Sequence, residues 1–177
     1  KDGKKAAWEL FSNVLNLVFL VTAAVAIIFG IFAQPLVSSQ LGVAPGFSAE
    51  QMQLTVILLR LNLVATLVFS VSGLAMAGLQ ANQHFLLPAL APIFYDFGQI
   101  FGAVILAPSE PYHLGRIALP ALGLGVEGLV YGVIIGALLH LLIQVPGLLK
   151  YQFRWQPSLN LKEAETQKVL KLMGPRV

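Results

Sequence analysis

Four long apolar stretches, at residues 10–33, 52–79, 85–107 and 117–149, constrain this chain more than any other feature. A bilayer core about 30 Å thick takes roughly 20 helical residues to cross, and each stretch is long enough. No water is available there to satisfy backbone N–H and C=O groups, so stretches immersed in lipid have to be helical. The pattern predicts an all-α integral membrane protein with four transmembrane helices. Composition points the same way, with 57% hydrophobic and 11% charged residues. A soluble domain carries about 25% charged residues, so this chain could not cover a water-facing surface.

The basic residues set the sidedness. Of 11 lysines and arginines, Lys1, Lys4 and Lys5 precede the first stretch, and Lys150, Arg154, Lys162, Lys168, Lys171 and Arg176 follow the fourth. Four crossings put both groups on one side, which the positive-inside rule makes cytoplasmic. The two connections expected on the other side, 34–51 and 108–116, hold only Arg116. The net charge of +3 is thus a topology signal; no basic helical face or RNA-binding motif accompanies it, so no nucleic-acid partner is expected. A cleaved signal is disfavoured, because the first run of about 24 residues exceeds the roughly 7–15 of a signal core. The absence of cysteine excludes disulfides, Cys-ligated zinc and a thiol nucleophile.

Local signals divide the chain into a membrane part, 1–149, and a following segment, 150–177. In the first outer connection Gln34-Pro35, Ser38, Gly42 and Ala44-Pro45-Gly46-Phe47 are turn formers, and Ser48 with Gln51 has the capping-box spacing that opens the second helix. The short turn Gln80-Ala81-Asn82-Gln83-His84 makes the second and third helices antiparallel neighbours. Pro88 and Pro92 stand in the early turns of the third, where proline costs least, with a bend expected at Pro92. Trp8, Tyr112, Tyr151 and Trp155 flank the apolar stretches at headgroup level. Beyond Pro157, Asn160 and Glu163 suggest a helix start, with Leu161, Ala164, Val169, Leu172 and Met173 near one face and Lys162, Glu165, Lys168 and Lys171 on the other. This predicts an amphipathic helix on the cytoplasmic surface, leading to a further crossing. Met173-Gly174-Pro175-Arg176-Val177 reads as a helix begun and cut off, so the chain is expected to be a fragment of a longer protein; an ordered core between further tails is the other reading.

Two sets of residues stand out. Gly128, Gly132 and Gly136 recur at four-residue spacing, after Gly123 and Gly125, and small residues so spaced let two helix backbones approach closely in lipid. Ser72, Gly73 and Ala77 on the second helix are the candidate complement. Arg60, Asp96 and Glu127 are ionisable groups inside apolar spans, each about 9–11 residues from the outer end, or ~13–17 Å at 1.5 Å per residue. A charge facing lipid there costs at least ~2.5–3.5 kcal/mol, so such groups face a partner or a hydrated cavity. Arg60 is expected to pair with Glu127 or Asp96, leaving one carboxylate toward a cavity. The alternatives are a purely structural ion pair, or snorkelling to the outer surface. Asn13, Asn16, Asn62 and Gln99 read as interhelical hydrogen-bond partners. His84, His113 and His140 are too scattered to share a metal, and no catalytic or phosphate-binding motif is present. Neither enzymatic activity nor a cofactor is expected.

The run Ser72-Gly73-Leu74, continued by Leu79-Gln80-Ala81-Asn82-Gln83-His84-Phe85-Leu86-Leu87-Pro88-Ala89-Leu90-Ala91-Pro92-Ile93, resembles a stretch of the MurJ/MviN lipid II flippases. Ala44-Pro45-Gly46-Phe47 is similar to an outer loop of that family, residues 132–146 to its sixth helix, and Lys171-Leu172-Met173-Gly174-Pro175 to the start of its seventh. The pieces keep their order along essentially the whole chain. The resemblance implies helices three to six of the N-lobe in a fourteen-helix, two-lobe transporter of the MATE-like multidrug/oligosaccharidyl-lipid/polysaccharide exporter superfamily. It implies alternating-access flipping of lipid II, the undecaprenyl-pyrophosphate-linked peptidoglycan precursor, across a bacterial plasma membrane in cell-wall biogenesis. Lipid II, membrane lipids and other cell-wall synthesis proteins are the partners so implied. The family's pyrophosphate-handling residues lie mainly on helices this chain does not contain. Arg60 stands where the family often has a basic residue, whereas Asp96 departs from an expected asparagine. Rival readings are a polysaccharide or drug exporter of the same superfamily and a non-transporting membrane scaffold.

Overall fold

The computed structural model describes residues 2–38, 46–162 and 164–173. Its elements in chain order are α1 (Asp2–Ser38), α2 (Ala49–Ala81), α3 (Leu86–Phe101), a π-helical turn (Gly102–Leu106), β1 (Tyr112–Leu114), β2 (Ile117–Leu119), α4 (Gly125–Leu142), α5 (Val145–Lys150) and α6 (Ala164–Met173). Four helical segments are long and apolar enough to cross a membrane: Gly3–Ser38, Ala49–Ala81, Leu86–Leu106 and Gly125–Lys150.

Helix α1 runs past the expected boundary at residue 33 and takes in Pro35. At this end of a helix proline is disfavoured, because it removes an i→i−4 hydrogen bond and crowds the preceding turn. Against it, Ala33 and Val37 are buried on Val56 of α2, and Ser38 Oγ donates to Gln34 O at 2.8 Å. Residues 39–45, with Gly42, Ala44 and Pro45 of the expected loop, lie outside the described residues. Ser48 caps α2 in a reciprocal capping box with Gln51. The α2–α3 turn closes through His84 N donating to Leu79 O at 2.9 Å, with Gln83 in the left-handed region at φ 55°.

The fourth span begins later than residue 117. Residues 117–119 pair with 112–114 as a two-stranded antiparallel hairpin, Tyr112 opposite Leu119. Gly123 and Gly125 then take positive φ values of 68° and 57°, a conformation that stops a right-handed helix from extending back through them. The backbone N–H groups of Leu122, Gly123, Leu124 and Gly125 instead satisfy the carbonyls of Ile105, Pro108, Leu106 and Ala107 at the end of the third span. Helix α4 therefore starts at Gly125, and α5 completes the crossing.

The helices pack in the order α1, α2, α4, α3. Phe11 meets Gly78 while Val37 meets Val56, so α1 and α2 are antiparallel; Gly98 meets Gly136 and Ala107 meets Gly128, so α3 and α4 are too. The start of α1, the end of α2, the start of α3 and the end of α5 thus share one side, here the near side.

Beyond α5 the chain does not simply leave the bundle. Residues 151–160 form an extended strap laid along α1. Trp8 Nε1 donates to Tyr151 O (3.1 Å), Asn16 Nδ2 donates to Gln156 O (2.8 Å) and Ser158 O (2.7 Å), and Trp155 Nε1 donates to Asn16 Oδ1 (2.8 Å). Ser158 Oγ donates to Asn13 Oδ1 at 2.7 Å. Non-helical backbone beside a membrane helix needs partners of this kind. Asn13 and Asn16 therefore bind the strap, where interhelical bonds were expected, and Trp8 and Trp155 fasten it besides lying near the interface. Asn62 bonds Leu58 O of its own helix at 3.0 Å.

The expected face of α6 is also revised. Thr166 is fully buried and Val169 borders a groove with Leu10 and Val14 of α1, whereas Leu161 and Leu172 are exposed. Asn160 Oδ1 accepts from Lys162 N at 3.3 Å, a turn two residues long; Glu163, the other half of the expected cap, lies outside the described residues, as do residues 174–177.

Candidate functional site

The glycine series of α4 closes on α3. A Cβ placed on Gly132 would lie 2.6 Å from Gly102 Cα and 2.9 Å from Gly98 O; one on Gly128 would lie 2.6 Å from Ala107 N; one on Gly136, 2.5 Å from Tyr95 O. These are backbone-to-backbone contacts that no side chain could occupy. The complement expected on α2 is not the one used: a Cβ on Gly73 would meet nothing within 4 Å. The true partner is Gly98-x-x-x-Gly102, a second four-residue pair that the sequence reading passed over although its spacing was visible. The π-helical turn begins at Gly102, where the two backbones meet.

Ser72 does meet α4, through a polar knot. Ser72 Oγ and His140 Nδ1 are 2.6 Å apart, and Gln144 Nε2 donates to Ser72 Oγ and His140 O, each at 2.8 Å. All three residues are buried, and Phe69 sets its ring against His140 at 5.4 Å. Gln144 Oε1 is buried without a hydrogen-bond partner among the described residues. Hydrogen bonds between membrane helices average about 0.6 kcal/mol, but Ser72 serves two buried groups at once. Ser72→Ala is therefore expected to destabilise the intact protein by about 1–2 kcal/mol, read as a lower Tm in detergent. A Tm equal to that of the unsubstituted protein would show that the knot contributes no stability.

The three charged candidates are not brought together. Arg60 is exposed on α2 and its Nε donates to Gly30 O of α1 at 3.0 Å. Asp96 is exposed on α3. Among the described residues no ion pair joins Arg60 to Asp96 or Glu127; the ion pairs found are Lys5–Glu9 and Lys168–Glu165. The expected pairing fails because Arg60 turns toward α1, while α4 separates α2 from the main body of α3. Nor do the three share a depth. Arg60 is about 17 Å from the start of α2 and Asp96 about 15 Å from the end of its span, at 1.5 Å per residue. Glu127 lies in the first turn of α4, where a negative charge is favoured by the unsatisfied N–H groups of the helix start. The late start of α4 makes Glu127 a rim residue.

What remains is a mainly apolar bundle surface with two exposed charges of opposite sign near mid-depth and Asn62 exposed beside Arg60. Such a surface is stable only against water or polar partners within the membrane. Among the described residues no three His, Asp or Glu side chains come together as a metal site.

Comparison with known proteins adds a second line. The family model described as lipid II flippase MurJ matches residues 1–177. The chain is similar to the probable lipid II flippase MurJ of Buchnera aphidicola subsp. Acyrthosiphon pisum, with 29% identity over 171 residues, covering 96% of this chain and 30% of that protein. It is also similar to the probable lipid II flippase MurJ of Buchnera aphidicola subsp. Schizaphis graminum, at 26% identity with 99% and 32% covered. The lipid II flippase MurJ of Burkholderia cenocepacia is 28% identical, with 98% and 31% covered. The chain spans about a third of the length of these curated relatives.

Proposed function

Because the chain belongs to the lipid II flippase MurJ family, we propose that the intact protein carries lipid II across the bacterial plasma membrane by alternating access. In this reading the four spans form part of the N-lobe of a two-lobe, fourteen-helix transporter. The near side, which bears α6 and its lysines, faces the cytoplasm, as the distribution of basic residues favours.

The observation that carries the proposal is the mid-depth exposure of Arg60 and Asp96, with polar Asn62 exposed beside Arg60, on a bundle that is otherwise mainly apolar. A pyrophosphate headgroup is polar and anionic, and its passage needs a hydrated route with cationic stations, while a prenyl tail can stay in lipid. Arg60 would be one such station, its guanidinium held in place by the Gly30 carbonyl. Asp96, which α4 separates from Arg60, would be a second polar group along that route, and Glu127 would stand at its outer rim. The tight α3–α4 seam would keep this part of the wall rigid while lobes rock. A polysaccharide or drug exporter, or a scaffold, is not favoured by the family match.

The test is replacement. The intact protein is produced in bacteria depleted of their own lipid II flippase, and outward accessibility of lipid II is measured. Restored accessibility is expected; absence of restoration by a correctly inserted protein would remove the assignment.

A further inference from the structure

At the near-side end of α1 three hollows follow one another as a track, each sharing wall residues with the next. The first, about 440 Å³, is lined by Lys4, Lys5 and Arg154 with Trp8 and Tyr151. Lys4 and Trp8 also border the second, about 160 Å³, which passes Phe11 and Gly78. Phe11 and Gly78 in turn border the third, about 270 Å³, an apolar trench between α1 and α2 floored by Leu74 and Ala77 and overlain by Val169 of α6. The track is cationic at its mouth, aromatic at its collar and apolar along its length.

The mouth is assembled by the fold. Lys4 and Arg154 stand 150 positions apart and meet because Trp8 and Asn16 fasten the strap that carries Arg154. Lys5 is loosely shared with Glu9 at 3.8 Å, and neither Lys4 nor Arg154 has an ion pair among the described residues. Two cations, with a third partly available, therefore face one pocket at the level where Trp8 places the membrane interface. The trench beneath lies within the spans, where the natural occupant is a hydrocarbon chain.

We propose that this track is a binding site for an anionic glycerophospholipid: its phosphodiester headgroup sits between Lys4 and Arg154, and one acyl chain lies in the trench between α1 and α2. The site is separate from Arg60 and Asp96 and does not depend on the transport reading. Its physical consequence is a lipid that binds the strap, α1 and α2 together.

The test uses the intact protein in native mass spectrometry, titrated with phosphatidylglycerol and with phosphatidylcholine of the same chains. Phosphatidylglycerol is expected to bind preferentially. Each basic residue near an anionic headgroup contributes about fivefold in affinity, so Lys4→Gln with Arg154→Gln should weaken phosphatidylglycerol about 30-fold and leave phosphatidylcholine unchanged. Both side chains are exposed, so the double variant should fold. Ala77→Phe, which fills the trench, should weaken phosphatidylglycerol with the mouth intact, and glycerol phosphate should not displace it. Equal binding of the two lipids, or an unaltered double variant, overturns the site. Displacement by glycerol phosphate reduces it to a phosphate pocket, and displacement by lipid II that the double variant abolishes reassigns it to the substrate; either result overturns the proposal.

Discussion

Gly132→Val is expected to eliminate most folded protein, the largest structural effect of any single substitution considered. The first added carbon would stand 2.6 Å from Gly102 Cα and 2.9 Å from Gly98 O. Overpacked side chains usually cost about 1–3 kcal/mol because neighbours change rotamer. Here the neighbours are backbone atoms of α3, which can give way only if the helices separate. Separation also breaks the contacts of Gly128 with Ala107 and of Gly136 with Tyr95. A cost of about 4 kcal/mol or more follows, out of a typical total of roughly 5–15. Such a cost shifts the folding equilibrium by roughly a thousandfold and uses up most of a stability at the low end of that range, so the monodisperse yield of the intact protein in detergent should fall at least tenfold. Gly73→Ala is the control: nothing lies within 4 Å of its added carbon. Alanine also improves helix propensity, so that variant should be neutral or slightly more stable. Equal yields of the two variants would show that the seam does not govern folding.

Arg60→Gln is expected to leave the fold intact and lower lipid II export by about 10–100-fold, the range that loss of one charge-assisted contact of about 1.5–3 kcal/mol gives. The side chain is exposed and makes one hydrogen bond, to Gly30 O, so little packing depends on it. Arg60→Lys, which keeps the charge but not the planar fork, should retain part of the activity. The measurement is outward accessibility of lipid II in depleted cells producing each variant at matched level. Normal export by Arg60→Gln would exclude Arg60 as a headgroup contact. The double variant with Glu127→Gln separates two pictures. In the structure these residues are unpaired, so their effects should add within about 0.5 kcal/mol.

Much of this was legible from local chemistry. Four apolar helices of membrane-crossing length and the Ser48 cap follow from rules that act over a few residues, and the structure has both. Partner choice was less legible. Gly128, Gly132 and Gly136 announce a close contact without naming the neighbour, because spacing fixes a face and not what lies opposite it. The motif Gly98-x-x-x-Gly102 carries the same spacing signal on α3, but two glycines alone are common in membrane helices and do not single out α4 as their partner. The start of α4 was misplaced because Ile117, Ala118 and Leu119 are apolar in a hairpin as readily as in a helix. Only the positive φ at Gly123 and Gly125 decides between them, and glycine adopts either sign freely. That one boundary moved Glu127 from mid-depth to the rim. The strap was illegible for another reason. Asn13 and Asn16 signalled that something polar must meet them, but their partners are mostly main-chain groups about 140 positions away, which carry no side-chain signature.

The strap has a mechanical corollary. A tether with slack would absorb any tug on α6 before it reached the bundle. Here the strap is pinned to α1, since Trp8 holds Tyr151 and Asn13 and Asn16 hold Ser158. Force carried along the strap is therefore delivered to α1 directly, as through a lever arm, and bypasses the short helix from which the strap emerges.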